Sequence, residues 1–415
     1  MSETPARRLV GSLNFWFRRP PRIHGEVDTE RTVGFLELLY DLVFVVIVAQ
    51  LAHHLVGDPT WSTVAEYSVL FGLVWVAWLN GSLYHELHGR EDGRHRNYIF
   101  AQMYLLVLLA AFAGQAAGSD GQKFSLTFAA LMLLLTFQWW VISRIDTVPQ
   151  FRKTSTLYVC EMLLIVAIMV ISAFVPSFRI ELWATAILLT VAGFSIGANF
   201  LSSQGQQSAL QVTESLVERF KLFTIIVLGE IVAAVVNGII DAEAATSAVI
   251  TGLIALTIGF GVWWNYFDTL GQRIPRAHPR STSMFLLLHL PLHASIAAVG
   301  GGMLGLVEAG PHGYVQSGTA WLLSGGTAVV LLALAAILST LEPAQNSTDS
   351  GRLQIVLAGG AICALLLALL NLPTMWFAVL LALTLIATWT IAFTLRSLSG
   401  EYEALRQEQL AADNH

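Results

Sequence analysis

The stretch Val33-Gly34-Phe35-Leu36-Glu37-Leu38-Leu39-Tyr40-Asp41-Leu42-Val43-Phe44-Val45-Val46-Ile47-Val48-Ala49-Gln50-Leu51 decides the fold class. Its apolar run, from about 33 to 55, is long enough to cross a hydrocarbon core about 30 Å thick. Two acids interrupt that run four residues apart, which places both carboxylates on one side of a helix, about one turn from each other. Eleven more apolar runs follow, near 61–84, 98–117, 124–143, 155–175, 181–201, 212–239, 245–268, 283–307, 315–340, 353–371 and 374–395. Short separators rich in Gly, Pro, Asp and Arg divide them, such as Gly57-Asp58-Pro59, Gly118-Ser119-Asp120-Gly121 and Gly310-Pro311-His312-Gly313. The expected fold is therefore an all-α polytopic membrane protein of about twelve transmembrane helices.

Composition agrees. The 415 residues are 55% hydrophobic and only 12% charged, with a mean hydropathy of +0.65, whereas soluble domains carry about 25% charged residues. Twelve crossings use up the length and leave no sizeable soluble domain to hold a catalytic module. Lys and Arg test the count, because positive charge gathers on the cytoplasmic side of short loops. With both termini inside, 20 of the 22 basic residues fall in the tails and inner loops, and only Lys123 and Arg179 fall outside. An error of one helix scrambles this pattern. The expected setting is the bacterial cytoplasmic (inner) membrane, multi-pass, with both termini cytoplasmic.

The chain divides into a basic cytoplasmic tail (1–31), a first six-helix half (32–203), a second six-helix half (204–398) and a cytoplasmic C-terminal tail (399–415). The first tail has no apolar segment followed by a small-residue cleavage site, so it does not read as a cleaved signal. Phe15-Trp16-Phe17 followed by Arg18-Arg19-Pro20-Pro21 reads either as an interfacial anchor on anionic headgroups or as a disordered tail. Cys160 and Cys363 each lie in an apolar run, far apart, with no disulfide or zinc spacing.

The halves show weak mutual similarity. Phe35-Leu36-Glu37 opens the first span and Leu216-Val217-Glu218 opens the seventh, while Trp78-Leu79-Asn80 in the second span parallels Trp263-Trp264-Asn265 in the eighth. Six crossings per half give two parallel six-helix repeats about an axis along the membrane normal, as in transporters that bind between their halves.

Ionisable groups inside a bilayer are expensive, about 2.5–3.5 kcal/mol at a helix centre on insertion scales, so they mark candidate sites. Glu37 and Asp41 come first; the alternative is that they brace a helix junction against loop arginines. In the seventh span Glu214, Glu218 and Arg219 lie at the inner end and Glu230 twelve residues beyond Glu218, about 18 Å along the axis and near the midplane. Glu230 has no basic partner on its own helix. Arg219 either pairs with Glu37 or Asp268, or meets substrate. His289 and His293 lie four apart around Pro291, a pair that can relay a proton, pack as core histidines or share a metal with helix carboxylates; whether they bind metal is open. Asn80, Asn265 and Asp268 complete the candidate ion- or substrate-binding set.

Other motifs fail. His85-Glu86-Leu87-His88 spaces its histidines by three where a zinc-protease helix needs four. Gly300-x-Gly302-x-x-Gly305 lies within an apolar helix with no preceding strand, so close helix packing accounts for it better than dinucleotide binding. There is no Walker A sequence and no G-x-S-x-G elbow.

At Glu37-Leu38-Leu39-Tyr40-Asp41-Leu42-Val43-Phe44 and Glu218-Arg219-Phe220-Lys221-Leu222-Phe223-Thr224-Ile225-Ile226-Val227-Leu228-Gly229-Glu230 the chain resembles the bacterial low temperature requirement protein A family, and His289-Leu290-Pro291-Leu292 is similar to that family's pattern. The resemblance spans roughly 30–400 and implies a multi-pass membrane protein; the family's name reports a growth phenotype. Ser215 and Lys221 stand where the family often has His and Gly.

Together these features favour a proton- or cation-coupled secondary transporter or an ion-conducting protein. A membrane-embedded enzyme or lipid-handling protein is the alternative, and a scaffold or sensor of membrane state is a third. The expected partners are the lipid bilayer and a small ion or small-molecule substrate, with no nucleic acid, no cofactor and homo-oligomerisation open.

Overall fold

The computed structural model describes residues 5–23, 26, 33–56, 59–203, 213–271, 273–310, 313–342 and 350–399. Among them lie thirteen α-helices and no β-strand, and twelve of the helices are long and apolar enough to cross a membrane. A short amphipathic helix, α1 (Pro5–Arg18), precedes the spans. The first six spans are α2 (Phe35–Ala52), α3 (Trp61–His88), α4 (Gly93–Ala113), α5 (Gly121–Ile145), α6 (Pro149–Phe174) and α7 (Arg179–Ser203). The remaining six are α8 (Glu214–Asp241), α9 (Thr246–Leu270), α10 (Pro279–Glu308), α11 (Ser317–Leu338), α12 (Ser350–Ala368) and α13 (Thr374–Leu398). Each apolar run expected from the sequence coincides with one of α2–α13. Residues 204–212, at which the halves divide, the tail from 400 onward with its Arg406, and Arg31, Gly57, Asp58, Pro311 and His312 lie outside the described residues.

Helix ends extend past the hydropathy limits where capping permits. The third span starts at Gly93, not near 98, because the Asp92 carboxylate accepts the His95 backbone N–H at 2.7 Å and satisfies an orphan donor of the first turn. Polar residues thus join the helix before its apolar part begins. α1 is helical within the N-terminal tail, its Trp16 ring lies 5.3 Å from the Arg96 guanidinium, and Phe17 packs against Gly93.

Two compact units divide the contacts. The first comprises residues 1–50 and 69–209, hence α1, nearly all of α2, most of α3, and α4–α7. Within it α5, α6 and α7 are joined at the end where α5 begins. There the Ser172 and Ser125 hydroxyls are hydrogen-bonded at 2.9 Å and the Trp183 indole N–H donates to Ser172 at 2.9 Å, all buried. Such interhelical bonds average about 0.6 kcal/mol each in membrane proteins, so the group orders three helices more than it stabilises any one.

The second unit comprises residues 51–68 and 210–415, including α8–α13. Its centre is α10, which runs unbroken through Pro291. Three successive glycines of α10 each admit a different neighbour. A Cβ on Gly300 would lie 3.1 Å from Cγ of Glu230 on α8, one on Gly301 would lie 2.6 Å from the Ala52 carbonyl oxygen, and one on Gly302 would lie 2.8 Å from Leu323 on α11. Close packing of helices, not phosphate binding, is the task of this glycine run. Lys221 of α8 donates to the carbonyl of Gly271, which ends α9 with φ +54°, so the ammonium sits at the negative end of that helix.

Candidate functional site

In the first unit the candidate residues gather towards the end where α2 begins and α3 finishes. Asp41 is 0% exposed, and its carboxylate accepts the indole N–H of Trp78 on α3 at 2.8 Å. Glu37 is also buried and occupies the first turn of α2, where the positive end of the helix dipole favours a negative charge. Tyr40 between them is accommodated because Gly81 has no side chain, since a Cβ there would overlap the tyrosine hydroxyl. Asn80 donates to the Val76 carbonyl at 2.9 Å and accepts from the Tyr158 hydroxyl of α6.

Around these residues lies a buried aromatic and histidine cluster. His85 packs edge-on against Tyr40 (5.2 Å between ring centres) and against His95 of α4 (4.9 Å), while His88 packs against Trp139 of α5 (5.0 Å). Both α3 histidines also pack against Tyr84 (6.4 and 5.6 Å between ring centres), and among the described residues no third ligand gathers with them. The chain before α2 closes over this end of the first unit. The Arg22 backbone N–H donates to the His88 carbonyl at 3.2 Å, the Arg22 carbonyl lies 2.7 Å from His88 Nδ1, and Arg90 donates to both oxygens of Glu26 at 2.5 and 2.6 Å.

In the second unit the candidates fall into separate centres. Glu230, 7% exposed, packs against Gly300 on α10 and lies within electrostatic range of Tyr67, whose hydroxyl donates to the Ala294 carbonyl at 2.6 Å. His289 and His293 are fully buried with rings 5.4 Å apart. A carbonyl only accepts, so the 2.7 Å contact of His289 Nδ1 with the Phe285 carbonyl puts its proton on Nδ1. Its Nε2 then accepts from the Tyr266 hydroxyl at 3.3 Å. The Thr224 hydroxyl lies 2.8 Å from His293 Nε2 and 2.9 Å from the Phe220 carbonyl oxygen. Each histidine Nε2 is thus engaged by a hydroxyl. Among the described residues no group of three or more His, Cys, Asp or Glu side chains could hold a metal ion.

A third centre lies at the end of α9. Asn265 donates to the Gly261 and Leu385 carbonyls, the Asp268 carboxylate accepts the Trp389 indole, and the Asp268 carbonyl accepts from Arg396. These residues border a cavity of about 10 Å³, room for roughly one water. On α8, Arg219 is buried whereas Glu214 and Glu218 are exposed. The structure thus separates Glu218 from Glu230 by face as well as by about 18 Å of helix, and it gives the Asp268 carboxylate to Trp389 rather than to Arg219.

Residues 32–394 match the model of a family described as bacterial low temperature requirement A protein (LtrA). The chain belongs to the LtrA family. Over 292 residues it is also 24% identical to an uncharacterized protein of Rhizobium meliloti (strain 1021), covering 66% of this chain and 70% of that one. It is accordingly a polytopic membrane protein of a bacterial family. Sequence reasoning about this LtrA chain read the buried His85 and His88 only as a failed zinc motif and passed over Glu161, a single acid in the apolar run of α6. The signal for Glu161 was present, since one Glu among Leu, Ile, Val and Met at mid-span is as costly as Glu230.

Proposed function

We propose that this LtrA protein is a proton- or cation-coupled secondary transporter or an ion-conducting protein of the bacterial inner membrane, with both termini cytoplasmic. The observation that carries the reading is Glu230, buried deep in α8 against Gly300, with no hydrogen-bond donor to its carboxylate among the described residues. An acid so placed is either protonated or paired with a mobile cation, which is the property an ion-coupled carrier needs. Asp41 and Glu37 supply further buried carboxylates, and the Tyr266–His289 and Thr224–His293 bonds supply groups able to pass a proton. The sidedness of Lys and Arg supports the orientation. The two six-helix halves act as parallel repeats in this reading, and the substrate is a small ion or small molecule.

Reconstitution tests it. Proteoliposomes carrying the full chain show acid- or ion-dependent flux that Glu230→Gln abolishes while the variant inserts and melts like the wild type. Undiminished flux in that variant overturns the reading.

A further inference from the structure

The first unit contains an ionisable group that none of this uses. Glu161 is the thirteenth of the twenty-six residues of α6, about 18–20 Å from either end of the helix and hence at mid-span. Its carboxylate rests on the backbone of α7 at Gly193, where a Cβ would overlap both oxygens. Oε1 is fully enclosed and makes no hydrogen bond among the described residues.

Among the described residues no charged side chain forms an ion pair with it, and on α3, which reaches the site at Asn80, the titratable groups Glu66, His85, Glu86 and His88 lie five or more residues from Asn80. On α5 the charges are Lys123 and Arg144, on α7 Arg179 and Glu181, all at helix ends, and on α6 itself Arg152 and Lys153 lie two turns or more away. One turn towards the start of α6, Tyr158 shares the face of Glu161, gives its hydroxyl proton to Asn80, and packs its ring 5.0 Å from Trp139. With only the Tyr158 hydroxyl and the Asn80 amide beside it, the carboxyl falls well short of the six or more oxygens that a hard metal cation gathers. A lone carboxylate in hydrocarbon with neither cation nor oxygen cage is stable there only as the acid.

We propose that Glu161 is a proton-binding site in the middle of the first unit, seated on Gly193, that holds one proton as a carboxylic acid at neutral pH. The ligand is the proton itself, taken from water by the carboxylate oxygen. The site stands on the geometry of the first unit and does not require that Glu230 take part in transport.

Infrared difference spectroscopy of the full chain in lipid vesicles at pH 7, wild type minus Glu161→Gln, tests it. The expected result is one carbonyl band of a protonated carboxylic acid, shifted down in D2O and absent from the variant. Carboxylate bands in its place overturn the proposal. If the variant does not fold, dicyclohexylcarbodiimide, which attacks protonated carboxyls in apolar surroundings, is applied to the wild type and its adducts mapped by mass spectrometry. An adduct on Glu161 supports the site, and modification of Glu230 with Glu161 untouched refutes it. Either readout is independent of flux, so a failed transport reading and a failed proton site are told apart.

Discussion

Asp41 in the first unit and Glu230 in the second are both nearly inaccessible acids on long apolar helices, yet their surroundings differ in kind. Asp41 is held by the Trp78 indole N–H at 2.8 Å and is 0% exposed. Glu230 rests on the backbone of α10 at Gly300 with a tyrosine nearby and no donor to its carboxylate among the described residues. A carboxylate with a fixed donor has its charge stabilised in place and its position fixed, which suits a brace. One seated on a glycine without a donor can change charge state without breaking a bond. Both remain candidate carboxylates for the proposed function, and Glu230 is the one whose carboxylate has no donor among the described residues.

The largest stability effect should come from breaking the braced side. Trp78→Phe removes that donor from the buried Asp41 carboxylate and is expected to cost about 1–3 kcal/mol, in the range for a buried group that loses one hydrogen bond. Thermal unfolding in nanodiscs reads it, and a melt within a degree of wild type would reassign Asp41. Gly300→Ala attacks the other side. Its methyl would lie 3.1 Å from Glu230 Cγ and 3.3 Å from the α8 backbone, so the helices must part, at about 1–2 kcal/mol for overpacking. Because the displaced group is Glu230, flux should fall further than stability does. A variant that loses stability with unchanged flux would place the ion path away from this crossing. Thr224→Val removes one interhelical hydrogen bond to His293 and should cost roughly 0.5–1 kcal/mol, detectable as a small loss in melting temperature.

The span pattern was legible because hydrocarbon imposes one local requirement, an apolar run of fixed length, that needs no knowledge of neighbours. The features missed depend on partners distant in sequence or on helix phase. α8 is apolar around most of its circumference, so nothing local showed that Arg219 turns inward while Glu218 turns out. The sequence placed Asp41 within the membrane but could not supply Trp78, thirty-seven residues away. It presented His85 and His88 as a failed metal motif because the backbone of Arg22, which meets His88, lies sixty-six residues earlier. The start of α4 was misplaced for the opposite reason: a local cap at Asp92 carries the helix beyond its apolar part.

The smallest effect sharpens the comparison from outside the bilayer. Glu26 lies ahead of α2, and the hydrogen bond from Arg90 holds its carboxyl below the ordinary glutamate value of 4.5. A lowered value in the folded state means the pair stabilises the fold above pH 4.5, and that contribution fades as acid protonates Glu26 through its lower folded value. The Glu26 side chain is 42% exposed, so solvent screens the pair and the effect should be a few tenths of a kcal/mol, at about the level of other surface pairs. Melts of wild type and Glu26→Gln should therefore differ slightly at pH 6 and converge towards pH 3. A difference that persists at pH 3 would mean that the substitution acts through something other than the charge of Glu26. Unlike Asp41 and Glu230, this acid lies where water can take over its charge, so its pairing with Arg90 only trims the docking of the residues ahead of α2.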